Sequence, residues 1–102
     1  MITPAPVFTQ TPQGFQVMGT LDFQHSLQVR ELGLQWLKTA QLRVVEVDLS
    51  QVVLDSAGVA VCVSWWREAV LHQKQIVWKH VPASVNALAK AYGVATIVGL
   101  EG

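Results

Sequence analysis

Charge is what this sequence has least of. Seven Lys and Arg stand against seven Asp and Glu in 102 residues, so the formal net charge at neutral pH is zero. A nucleic-acid binder carries a basic stripe or patch, and no such cluster occurs along the chain. A polybasic segment of the kind that holds proteins to anionic lipid surfaces is missing as well. Cys62 is the single cysteine, which excludes a disulfide framework and a cysteine metal cluster. No window approaches membrane-spanning length without polar interruption. Met1 to Gly14 holds three prolines and no cationic start followed by an apolar run, so it does not read as a signal peptide. The expectation is a cytoplasmic protein with no nucleic-acid partner and no segment inserted in a membrane.

What the chain does have is apolar surface. Half of it is hydrophobic, at a length that supports one domain with one core, spanning 1–102 with an extended lead-in over 1–6. So large an apolar share in so small a domain suggests that some of it is buried against a partner.

In chain order, Val7 to Gln10 and Phe15 to Leu21 read as two strands turned by Thr11-Pro12-Gln13-Gly14 into an antiparallel hairpin. In the second strand Phe15, Val17, Gly19 and Leu21 alternate with Gln16, Met18 and Thr20, which suits a sheet with one covered face. A helix follows from about Ser26 to Ala40, with Leu27, Arg30, Leu34 and Leu37 near one stripe. Gly33 weakens it by up to ~1 kcal/mol relative to alanine. Val44 to Val47 is a dense β-branched run, read as a buried strand that the polar Asp48 to Gln51 brings to an end. A long helix spans Ser56 to Gln73, a strand Gln75 to Lys79, and a third helix Ser84 to Tyr92, with Val85, Leu88 and Ala89 inward and Gly93 as its terminator. Val94 to Val98 could close a sheet edge. The order predicts an α/β fold: a mixed sheet of four to five strands with three or more helices packed on it.

The second helix carries the candidate site. Asp55 is a good N-cap, its carboxylate able to accept from amides of the first turn. Ser56 then sits at the positive end of a helix, where a phosphate would be favoured. The plain alternative is that Asp55 and Ser56 only cap. At 100° per residue, Val59, Cys62, Val63, Trp66, Val70 and Gln73 fall along one side, near Ala69, and are expected to cover the sheet. The opposite side carries Ala57, Val61, Ser64, Trp65, Glu68 and His72. Trp65 there either anchors a partner, as tryptophan often does, or packs sideways against the third helix. On the first reading Val61 and Trp65 form the apolar centre of an interface whose polar rim is Ser56, Ser64, Glu68 and His72.

Catalysis finds little support. His25, His72 and His80 lie in different elements, and no pair has the spacing of helix-borne metal ligands. Cys62 faces the expected core and behaves there as a small hydrophobe. A serine nucleophile needs a base beside it, and around Ser56 there are only acids. Asp22, Asp48 and Asp55 could gather at one end of the sheet, but turns and caps explain them equally well. No catalytic residue, metal or cofactor is therefore expected.

The pattern strand, Asp48-Leu49-Ser50, four residues, Asp55-Ser56-Ala57-Gly58, hydrophobic helix resembles the STAS domain, the fold of bacterial anti-sigma-factor antagonists. Gly19-Thr20-Leu21-Asp22 is similar to the G-x-L-D turn after that family's second strand. Leu88-Ala89-Lys90-Ala91-Tyr92 resembles the L-A-K-x-Y segment of the MlaB-like branch, STAS subunits of phospholipid-transport ABC complexes. The likeness implies a non-catalytic subunit that docks on the cytosolic ATPase, itself in complex with a permease, and so lies at the inner membrane through its partner. It implies that the docking helix is the one that starts at the Ser56 position, with the third helix beside it. The second function it implies is an anti-sigma-factor antagonist, in which Ser56 accepts a phosphate from a serine kinase and thereby switches binding.

Overall fold

Residues 6–54 and 56–94 are described by a computed structural model. The elements run β1 (Val7–Thr11), β2 (Gly14–Leu21), α1 (Ser26–Thr39), β3 (Val44–Leu54), α2 (Ser56–Leu71), β4 (Gln75–Lys79) and α3 (Ala83–Ala91). Among the described residues the sheet has four strands in the order β1-β2-β3-β4. β1 and β2 form the expected antiparallel hairpin, with Thr11 opposite Gly14 across Pro12 and Gln13. β2–β3 and β3–β4 are parallel, so the sheet is mixed. The strand expected over Val94 to Val98 lies, after Val94, outside the described residues, as do Asp55 and the first five residues of the lead-in.

One face of the sheet carries the core. Phe15, Val17 and Leu21 of β2 and Val45, Val47, Leu49 and Val52 of β3 are buried in one cluster with Val29 and Leu37 of α1, Cys62 and Trp65 of α2, and Val85 and Ala89 of α3. Residues of opposite parity, Met18, Glu46, Asp48 and Lys79 among them, stay partly or fully exposed. The alternation in β2 thus has its physical cause: one side meets helices and the other does not.

β3 is longer than its β-branched run. Asp48 to Gln51 does not end the strand but holds a bulge, since Gln16 pairs with Asp48 and Met18 with Gln51, leaving one extra residue on β3. The Asp48 carboxylate accepts the Ser50 N–H at 2.9 Å, locally satisfying an amide at the irregularity. The inward set accordingly changes parity, from Val45, Val47 and Leu49 to Val52. That shift lets β3 run beside β2 to Leu54, which brings the start of α2 to the far end of the sheet.

α1 is rotated relative to the expected stripe. Its buried residues are Val29, Gly33 and Leu37, whereas Leu27 is exposed. α2 ends two residues before Gln73, where Gln73 takes a positive φ. α3 buries Val85 and Ala89, with Leu88 partly covered, and Gly93 follows at φ 69°, a left-handed conformation that glycine adopts without strain.

Candidate functional site

The largest correction concerns the direction of α2. Trp65 and Val61, expected outside, are core residues. The Trp65 indole inserts between α2 and α1 and donates its Nε1–H to the Arg30 carbonyl oxygen at 3.1 Å. Its ring meets Phe15 edge-on, with centroids 5.0 Å apart. α1 closes this side of α2, not α3. Trp66, expected inside, is only partly covered, and Val70 and Gln73 of the same stripe are exposed. Cys62, Val59 and Ala69 are buried as expected, and burial pushes the Cys62 thiol up to about 12. The physical reason is that α2 packs on the sheet beneath it and on α1 beside it. Its buried arc is therefore wider than one stripe.

The outward surface of α2 carries a ridge of Ala60, Ser64 and Arg67 bordered by two grooves, with Val70 and Leu71 exposed toward its C-terminal end. Ser64 of the expected partner-binding side belongs to it, whereas Ala57 is half-buried and lines the groove on the α1 side. Ser64 Oγ accepts from Arg30 Nε at 3.1 Å and donates to the Ala60 carbonyl at 3.0 Å, which ties α1 to α2 at the surface. Glu68 and His72, also of that set, pair at 3.1 Å near the C-terminal end of the helix. Ser56 opens α2, so the hydroxyl-bearing residue stands at the first helical position. Asp55 lies outside the described residues.

The groove on the α1 side has a volume of about 600 Å³ and is lined by Phe23, Gln24, Ser26, Leu27, Arg30, Ala57, Ala60, Val61 and Ser64. The second, about 370 Å³, lies toward the end of α3 and is lined by Val59, Ala60, Val63, Ser64, Arg67, Tyr92 and Val94. Phe23 is 86% exposed, Leu27 64% and Tyr92 57%, so large apolar side chains border both grooves while facing solvent. Sequence reasoning missed Phe23 and Leu27. Phe23 precedes the expected helix in a stretch with no periodic signal, and Leu27 falls on the same expected stripe as Arg30, Leu34 and Leu37.

The other titratable groups serve local structure. Burial opposes the charge of Asp22, but the backbone N–H of His25, its imidazole and the Gln24 N–H outweigh it and hold the carboxyl below its ordinary range. Asp22 Oδ1 lies 2.8 Å from His25 Nδ1 and accepts the His25 N–H at 3.0 Å, just before α1. Burial likewise opposes the charge of Asp48, and the Ser50 amide and hydroxyl together with His80 overcome it, again lowering the carboxyl. Among the described residues no three His, Cys, Asp or Glu side chains gather closely enough to hold a metal ion. No helix among them is long and apolar enough to cross a membrane.

The fold is thus a mixed sheet with three helices packed on one face, among the described residues. The family model described as "Mlab, STAS domain" matches residues 7–99, and the chain belongs to that family. Its fold is similar to that of the anti-sigma factor antagonist SpoIIAA in its unphosphorylated form, with a TM-score of 0.71 at 14% identity over 90% of this chain and 84% of that one. A comparison with the curated proteins finds no match.

Proposed function

We propose that this chain is a non-catalytic subunit that docks on the cytosolic ATPase of an ABC transporter moving phospholipid, and thereby lies in the cytoplasm against the inner membrane. The observation that carries the reading is the outward ridge of α2, Ala60, Ser64 and Arg67, flanked by apolar grooves in a chain of the MlaB-type STAS family. Exposed large side chains beside that ridge, Phe23 and Leu27 on one side and Tyr92 on the other, are apolar surface that a partner can bury. The domain acts through differential binding: it favours whichever ATPase conformation it binds better and performs no chemistry of its own. Co-expression with the ATPase and permease of an Mla-type transporter from the same host tests the reading. The expected result is one complex that survives purification and whose ATP hydrolysis changes when this subunit is omitted.

The position of Ser56 favours a second reading, an anti-sigma-factor antagonist. A hydroxyl residue at the first position of a helix is where added phosphate meets free amides. Phosphorylation adds close to two negative charges, which would change a docking surface starting at that turn. An intact mass of the protein purified from its native host, about 80 Da above the sequence mass, would support this reading over the first.

A further inference from the structure

Two irregular stretches of backbone lead from the sheet into α2 and α3, and both lie beside one carboxylate. In β3 the bulge between Asp48 and Gln51 changes the parity of the strand, and so sets the point from which α2 begins. Between β4 and α3 there are only three residues, His80, Val81 and Pro82. Pro82 stands at φ −62°, as its ring requires. The ring also restricts Val81, the residue before it, and Val81 packs against the core. His80 is left to turn the chain. It does so at φ 56°, in the left-handed region that residues other than glycine seldom enter. No side-chain hydrogen bond caps the start of α3. The direction of α3 therefore depends on His80.

Asp48 touches both stretches. Its Oδ1 accepts the Ser50 N–H inside the bulge at 2.9 Å, and the same oxygen lies 3.4 Å from His80 Nδ1. The contact is made on the helix-free face of the sheet, in a cavity of about 290 Å³ lined by Thr11, Gln13, Glu46, Asp48, Lys79 and His80. The other two charged groups in that lining, Glu46 and Lys79, pair with each other at 3.5 Å across the same two strands. An exposed pair of that kind is worth little by itself. Asp48 differs because one oxygen serves two turns of the backbone.

We propose that Asp48 is a conformational latch that couples the bulge before α2 to the turn before α3. From the opposite face of the sheet it thereby sets the groove that these two helices border. That groove is the smaller one, walled by Val59, Val63 and Arg67 of α2 and by Tyr92 just past α3. Freeing the latch lets α3 shift against α2 while α1 stays as it is. The inference concerns the fold itself and holds whichever partner the groove receives.

The test is amide hydrogen exchange of the purified full-length protein at one fixed pH, read residue by residue by NMR. Ser50 N–H reports on the bulge, and Gly33 N–H in the middle of α1 is the reference. Val85 and Asn86 N–H, which donate to the Pro82 carbonyl at 3.0 and 3.1 Å, report on the start of α3. Asp48→Ala should speed exchange at Ser50, Val85 and Asn86 by at least about 5-fold more than at Gly33. Asp48→Asn keeps an acceptor for Ser50 but brings no charge to His80. It should therefore leave Ser50 protected and the start of α3 fast. His80→Gly removes the imidazole at a backbone angle that glycine adopts freely, and it too should speed the start of α3. Added to Asp48→Ala, it should speed those amides no further, because both variants open the same contact. Glu46→Ala, on the same face, should change none of the reporters. The proposal is overturned if Asp48→Ala affects Ser50 alone, or if the double variant shows the product of the two single effects. It is overturned equally if Gly33 accelerates as much as the rest, which is plain loss of global stability. Should Asp48→Ala fail to fold, Asp48→Asn decides: protection at the start of α3 equal to that of the wild type overturns the proposal.

Discussion

Gly33 and Trp65 share one space. Gly33 on α1 is buried, and a Cβ built on it would fall within the indole of Trp65 on α2. The missing side chain is what lets the tryptophan reach the Arg30 carbonyl and pack on Phe15.

Gly33→Ala should therefore lower stability although alanine is the better helix former. Helix propensity favours the substitution by up to ~1 kcal/mol, and forcing a methyl group into a filled core opposes it by about 1–3 kcal/mol. Chemical denaturation is expected to give a net loss. A gain would mean that α1 and α2 are not in contact at this position.

Trp65→Ala should cost about 3–5 kcal/mol, the range for truncating a buried large aromatic. Trp66→Ala should cost clearly less, because that ring is only partly covered. Denaturation midpoints of the two variants measured side by side reverse the order expected from a single inward stripe.

Acid should destabilise the fold through Asp22 and Asp48. Both carboxyls titrate lower in the folded chain than in the unfolded one. Their contribution is thus complete above the unfolded value and is lost as pH falls through the folded one. Thermal midpoints of wild type and Asp22→Asn should differ near neutrality, begin to converge below about pH 4, where free carboxyls protonate, and meet only below the lowered folded value. A difference that persists unchanged to pH 3 would show that Asp22 acts by shape alone.

Cys62 offers a probe of opening. Its thiol is fully buried and pushed up to about 12, so a thiol reagent at neutral pH should modify it only when the domain unfolds. The rate of labelling should rise with Gly33→Ala by about tenfold for each ~1.4 kcal/mol of stability lost. Rapid labelling of the native wild type would contradict the core position of this residue.

The parts legible in the sequence are those where one face meets the core and the other meets water. β2 alternates because only one side of the sheet is covered, and β4 and the hairpin turn follow from equally local signals. α2 gives no such direction: Ala57 to Val63 is apolar or small at every position, so periodicity cannot tell the buried arc from the outward one. Packing with α1 decides it, through a glycine whose role is the volume it leaves empty. The bulge at Asp48 to Gln51 was illegible for a related reason. Polar residues end many strands, and only pairing with β2 shows that this one continues. The start of α2 and the presence of Ser56 there could be read locally, whereas Phe23 and Leu27 became visible only once the two helices stood side by side.

The most direct measurement is the affinity of Ala60→Arg for the transporter ATPase proposed as its partner. Ala60 is exposed on the ridge and borders both grooves, so a long cation there obstructs a partner without entering the core. The account predicts a loss of at least about 30-fold, the scale of an interface hot spot, with the thermal midpoint unchanged. A variant that binds as tightly as the wild type would contradict it.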